Sequence, residues 1–445
     1  MTKLIRNFIF LVLGIMFVFA LTACNSKQGQ AESKKGKNDG NSEVNHTDEI
    51  VTIKILYPWG EDAFEERYKA IDEKLENIQL ELVDSQAQLE PLQELNAKKI
   101  IPDVILANWG IEPLKQLDMI QPIDQLIEKH QFDLDTLFPS AVAGARSLGS
   151  EGQMPGMPIS GGGYALYYNK EVFDLFGESY PSDNITWDEV VELARKLTAE
   201  RNGNQYRGLE MGSVPAASFD TLVPLLEFAV NLTDPKTGEV RITKEPAVQR
   251  YMNLMRDIFD IPGLYDSTAE DDYEFPQGTV AMLITYIDYP RWGIPDTDFI
   301  ENIDVVPVPV WEDQPLAPPV NPSLHVINKY SEHQDEAFQV ISEYVSAEHQ
   351  SFLGANYAEP PAVIDTKAWA QYGSSSEKFE ALDLEKVFSR DMALPPKEIS
   401  KWDEYVDIQG SLKDFVETDM DIPSFLRVLE EESEAKIKDA MKQEQ

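Results

Sequence analysis

Val51-Thr-Ile-Lys-Ile-Leu56 alternates apolar and polar residues and stops at Tyr57-Pro58-Trp59-Gly60. That is the pattern of a half-buried strand ended by turn residues. Phe64, Tyr68, Ile71 and Leu75 then recur at steps of three and four, one face of a helix. Ile78-Gln-Leu-Glu-Leu82 alternates again, Glu90 to Lys98 reads as a second helix, and Pro102-Asp-Val-Ile-Leu-Ala107 is apolar without alternation. Such a run suits a parallel strand buried on both faces. Strand, helix, strand, helix, strand is the signature of an α/β layer. Open sheets of that kind bind ligands beyond the carboxyl ends of their strands. Trp59 follows the first strand and Trp109 the third.

Working outward, a second region opens with the loop Met157-Pro-Ile-Ser-Gly-Gly-Gly163 and continues into the strand Tyr164-Ala-Leu-Tyr-Tyr-Asn-Lys170. Thr186-Trp-Asp-Glu189 has the form of a capping box, and Val190, Leu193 and Leu197 carry on a helix. A strand is expected over Gly278–Ile284 and a helix over Phe338–His349, broken by Ala355–Pro361. Six prolines between Val305 and Pro322 exclude a regular helix there. Phe425, Leu429, Ile437 and Met441 mark a final acidic helix.

The chain of 445 residues begins with Lys3 and Arg6, then an apolar run from Phe8 to Leu21. As a helix that run spans about 21 Å, short of the ~30 Å membrane interior, so it fits a signal peptide rather than a transmembrane anchor. Leu21-Thr22-Ala23-Cys24 follows, ending on the only cysteine. It resembles the lipobox of bacterial lipoproteins, which implies that residues 1–23 are removed and Cys24 is acylated. Two acyl chains are enough for stable anchoring. Residues 24–49 are polar and lack core formers, so they should form a disordered tether reaching roughly 25–30 Å. A single cysteine rules out intramolecular disulfides and multi-cysteine metal centres.

With 38 basic and 78 acidic residues the net charge is −40. That field repels phosphate backbones and argues against nucleic-acid binding. None of His46, His130, His325, His333 and His349 forms an H-E-x-x-H motif. Ser160 lacks a nucleophile elbow, Gly161 to Gly163 lack the end of a phosphate-binding loop, and Asp266 to Asp272 lack calcium-loop spacing. No cofactor or metal is expected.

Several segments, in order, resemble the extracellular solute-binding proteins of the family 1, maltose-binding-like class that serve ABC importers. They are Pro102-Asp-Val-Ile105 with Trp109, Leu117 to Ile123, Gly156-Met-Pro-Ile159, Ala165-Leu-Tyr-Tyr-Asn-Lys170, Thr186 to Leu197, Phe275 to Met282 and Ala337 to Gln350. The resemblance covers residues 51–442. It implies an α/β protein of two lobes, each a mixed sheet flanked by helices, joined by hinge crossings near Ser160, Asn321 and Glu359-Pro360. The lobes would be 50–160 with 322–358, and 161–321 with 359–445. It implies a monomer on the outer face of the cell membrane, held there only by its lipid anchor. That monomer would take a saccharide between its lobes and hand it to an ABC permease, without catalysis. Gly161 to Gly163 depart from the family, many of whose members carry a polar or acidic contact residue there. Backbone N–H groups could substitute, or the glycines could loosen a hinge.

Expected ligand contacts are Trp59, Glu61, Asn108 and Trp109 in the first lobe, and Tyr286, Asp288, Trp292, Trp402 and Tyr405 in the second. Indole faces accept the apolar face of a sugar ring, and carboxylates accept its hydroxyl hydrogens. Core packing is the competing reading for each tryptophan, and Trp187, in the first turn of a helix, is read as structural. Two further functions compete: a surface glycan-processing enzyme, and capture of a cationic solute such as a polyamine.

Overall fold

The computed structural model describes residues 50–443, apart from 215, 269–271, 295–296 and 419. The expected signal peptide, Cys24 and the tether lie outside the described residues. The described residues form a compact unit built around two large sheets, with a separate two-stranded ribbon of Ala199–Arg201 and Asn204–Tyr206.

In the first lobe, β1 (Val51–Tyr57), α1 (Gly60–Lys74), β2 (Ile78–Asp84), α2 (Leu89–Ala97) and β3 (Val104–Ala107) follow in order. β1 pairs in parallel with both β2 and β3. Phe64, Tyr68 and Ile71 are the buried face of α1. All four residues of β3 are buried. Only one of its edges is parallel, however: a strand from far along the chain, Leu324–Asn328, pairs with it antiparallel, Val326 opposite Ile105. That inserted strand also carries Ile120–Gln121 and Met157–Pro158, which makes the sheet mixed.

The second lobe has a four-stranded sheet in the order Ile303–Pro307, Tyr164–Asn169, Met282–Tyr286, Glu210–Met211. Tyr164–Asn169 is antiparallel to both neighbours. The expected strand over Gly278–Ile284 starts four residues later, because Gly278 turns in the left-handed region at φ +83° and its strand neighbours begin at Met282. The capping box at Thr186 forms in both directions: Glu189 N–H donates to Thr186 Oγ1 at 3.3 Å and Thr186 N–H to Glu189 Oε2 at 2.8 Å. Trp187 is fully buried, as its reading as structural requires.

The single helix expected over Phe338–His349 is two, Gln334–Tyr344 and Ala347–Tyr357. Ser346 ends the first and caps the second by accepting the His349 N–H at 3.2 Å. Apolar residues continue through the break, so periodicity alone ran the two together.

The chain passes between the sheets over residues 159–163, 308–323 and beyond Tyr357. Ala362, Val363 and Ala368 still pack into the first-lobe core, whereas Trp369 and Tyr372 join Tyr167 on the second sheet. The passages touch one another: Ile159 N–H donates to Ser323 O at 3.1 Å and Gly161 N–H to Pro360 O at 3.0 Å.

Candidate functional site

The passages form one wall of a cavity of about 820 Å³, lined by Ser160, Gly162 and Gly163 of the first, Pro318 to Ser323 of the second and Pro360 of the third. A volume of this size suits a small-molecule ligand. Asn108 reaches it from the turn after β3, and Tyr164, Phe219, Tyr286 and Asp288 reach it from the second lobe. Asn108, Tyr286 and Asp288 are thus brought together from among the sequence candidates.

The first-lobe candidates cluster at the strand ends. Trp59 and Trp109 are each 53% exposed and meet edge to face, with ring centroids 6.4 Å apart. Behind them Tyr57 is buried and touches Trp59 at 5.1 Å. Burial pushes the Tyr57 phenol up, against the charge of Arg67, and the Arg291 charge from the other lobe also acts on it. Glu61 is exposed in the first turn of α1. Two half-exposed indoles at the carboxyl ends of neighbouring parallel strands form an apolar corner, although Trp59, Glu61 and Trp109 are not among the residues that line the cavity.

In the second lobe, Tyr164 and Tyr286 line the cavity and Trp292 does not. Tyr286 stacks on Tyr164 at 4.7 Å, its partner in strand register. Trp292 is 48% exposed and packs edge-on against Tyr273 and Tyr289. Asp288 Oδ2 accepts from Arg291 Nη2 at 3.2 Å.

Trp402 does not join this group. It is 5% exposed within the second-lobe core, where its ring packs over Gly238. Tyr405 is half-buried beside it at 6.2 Å. Both sit in a short helix, Lys401–Tyr405, whose neighbours Asp403 and Glu404 are the ones that line the cavity. The turn of that helix points the indole into the core and Glu404 into solvent, while Asp403 is held by Leu232 and Thr233.

Three residues on or behind the wall carried no motif. Tyr164 was legible only as a strand residue, although its pairing with Tyr286 is what puts an aromatic on the wall. Phe219 is 41% exposed. Asp220 lies just behind, 3% exposed, its Oδ2 accepting from Thr285 Oγ1 at 3.0 Å and Tyr273 OH at 3.5 Å. Burial pushes its carboxyl up to about 6. Glu210 nearby is pushed up to about 8 by burial, against the Phe275 N–H and Arg207.

Known proteins share this architecture. The sugar-binding protein MalE of Xanthomonas citri superposes with a TM-score of 0.70 at 17% identity, covering 88% of this chain and 100% of that one. An open-conformation sugar transporter of Rhizobium etli gives 0.66 at 18%, covering 87% and 100%. UgpB of Mycobacterium tuberculosis, in complex with glycerophosphocholine, gives 0.65 at 15%, covering 88% and 99%. At such identities they establish the two-lobed fold. In sequence, a Brucella abortus protein described as a binding protein is 27% identical over 194 residues, 41% of this chain. The match spans 43% of that curated relative, less than half its length. The sequence profile of the bacterial extracellular solute-binding proteins matches residues 55–351, two thirds of the chain, and the chain belongs to that family.

Proposed function

We propose that this protein captures a sugar or oligosaccharide outside the cell and delivers it to the permease of an ABC importer. In this reading Cys24 carries the lipid anchor, residues 24–49 are the tether, and the monomer works at the outer face of the cell membrane. The observation that carries the ligand class is the exposed Trp59–Trp109 corner, whose turn sends Asn108 into the cavity between the lobes. Indole offers a flat apolar face to a sugar ring, and the amide of Asn108 and the carboxylate of Asp288 offer partners to its hydroxyls. MalE of Xanthomonas citri is described as sugar-binding, which supports the same class.

The family is one of binding proteins, which favours capture over glycan processing. The wall carries one guanidinium, Arg390, beside four carboxylates, one of which, Asp288, is paired with Arg291, so capture of a cationic solute is an outcome that the test must separate. The test is a thermal-shift screen over neutral and acidic saccharides and polyamines, followed by recovery of the ligand. At 100 times its dissociation constant a true ligand adds about 2.7 kcal/mol of stability. A saccharide that stabilises the protein and is recovered unchanged supports capture. Cleavage products, or stabilisation by polyamines alone, would refute it.

A further inference from the structure

Five charged side chains line the cavity: Asp288, Arg390, Asp403, Glu404 and Asp407. Three of the four carboxylates are already engaged. Asp288 accepts from Arg291 at 3.2 Å. Asp403 accepts from the N–H groups of Leu232 at 3.1 Å and Thr233 at 2.8 Å, and from Thr233 Oγ1 at 2.6 Å. Asp407 caps a helix through the Gly410 N–H at 2.7 Å. Glu404 is exposed to solvent.

Arg390 is the cation of the set, and it forms no ion pair. Its Nη2 donates to the Asp183 carbonyl at 2.7 Å, while its Nε is buried with no acceptor. Among the described residues, no carboxylate lies within ion-pair distance of it. The carboxylates of Glu227 and Asp183 are close enough for their charge to be felt without an ion pair, and Trp187 Nε1 donates to both oxygens of Glu227, at 3.1 and 3.0 Å. Burial also drives the Glu227 carboxyl well up, toward its neutral form. A guanidinium stays charged in proteins, so an unpaired one partly out of water is costly. An incoming anion that pairs with the guanidinium relieves that cost.

Resting on the saccharide reading above, we propose that the cavity selects a saccharide bearing a carboxylate, a uronic acid unit whose anion pairs with Arg390. The distant part of the −40 net charge is largely screened beyond ~10 Å at ordinary salt, whereas the four carboxylates of the wall itself oppose an anion, so the pairing with Arg390 has to outweigh them.

The probes are galacturonic acid di- and trisaccharides, their methyl esters, and neutral galactose oligosaccharides of the same length, measured by titration calorimetry. The expected result is that the wild-type protein binds the acids at least tenfold more tightly than either the esters or the neutral sugars. The preference should shrink as salt rises. In Arg390→Gln the ratio of acid to neutral affinity should collapse toward one, with Arg390→Lys in between. The ester comparison uses the wild-type chain, so it decides the matter even where a variant fails to fold. Neutral sugars or esters binding as tightly as the acids would overturn the proposal while leaving saccharide capture standing. Binding of none of these probes would overturn the uronic acid proposal, and saccharide capture itself would fall only if the wider saccharide screen also found no ligand.

Discussion

Gly161 donates its backbone N–H to Pro360 O at 3.0 Å, so the first passage between the lobes lies directly against the third. The approach leaves no room for a side chain: a Cβ on Gly161 would collide with the Pro361 carbonyl. Two residues on, Gly163 holds φ +137°, a conformation that side chains disfavour. The N–H groups here are also used within the protein, since Gly162 N–H donates to Ser160 Oγ at 3.1 Å. The glycines therefore serve the packing of the crossings, and the two N–H groups of Gly161 and Gly162 already have partners.

Gly161→Ala should accordingly lower apo stability by about 1–3 kcal/mol, the usual cost of overpacking. Melting temperature reads this directly. Scattering profiles with and without ligand test the second consequence: the wild type should contract on binding as the lobes close, and the variant should contract less. Unchanged melting would mean that the third passage yields freely.

Trp59→Ala and Trp109→Ala should weaken saccharide binding by roughly 5- to 150-fold, which is ~1–3 kcal/mol per stacking ring by analogy with nucleobase stacking. Their apo melting temperatures should barely move, because each ring is half exposed. Trp402→Ala is the contrast. Its ring is buried in the second-lobe core, so it should cost about 3–5 kcal/mol of stability while the folded fraction keeps its affinity. Calorimetry and melting on the same samples separate the two classes. A large melting loss in Trp59→Ala would place that ring in the core instead.

The difference between those tryptophans shows where the sequence could be read. The alternation in β1 and β2 and the helical stripe of α1 are local patterns, and a residue just past a strand end inherits its place from them. Trp402 has no such frame, because its helix is one irregular turn and its packing partner Gly238 lies far away in sequence. Leu324–Asn328 escaped for the same reason: nothing near it in the chain says that it pairs with β3, more than two hundred residues upstream. Arg390 sits in an irregular stretch, and its significance depends on what its neighbours in space have left unpaired.

Cys24→Ser should leave the precursor unprocessed or release the protein into the medium, since Cys24 is the only thiol and ends the lipobox-like Leu21-Thr22-Ala23. Detergent phase partition of cells expressing each form reads the outcome. A variant that is processed and still partitions with the membrane would rule out the anchor.

The two lobes should respond to acid with opposite sign. His325 and His349 are buried in the first lobe; burial holds them down to about 3 and about 4. An unfolded chain protonates its histidines near 6.5, so below that pH protons favour unfolding. Stability from this source is lost as pH falls from about 6.5 toward 3–4. In the second lobe Asp220 is pushed up to about 6 and Glu210 to about 8, in each case chiefly by burial. There the folded state keeps protons that the unfolded chain gives up near 4. Their contribution is full below about 4 and is lost as pH rises through 6 and 8. Each titrating group changes stability by at most ~1.4 kcal/mol per pH unit, so the opposing terms largely mask each other in the wild type. Single substitutions expose them. Relative to wild type, His325→Gln should gain melting temperature steadily as pH falls from 7 to 4. Asp220→Asn should do the reverse: its advantage is greatest near pH 8 and fades toward pH 4. Melting of the three proteins across that range is the measurement. Differences that stay flat with pH would show that neither group titrates abnormally in the folded state.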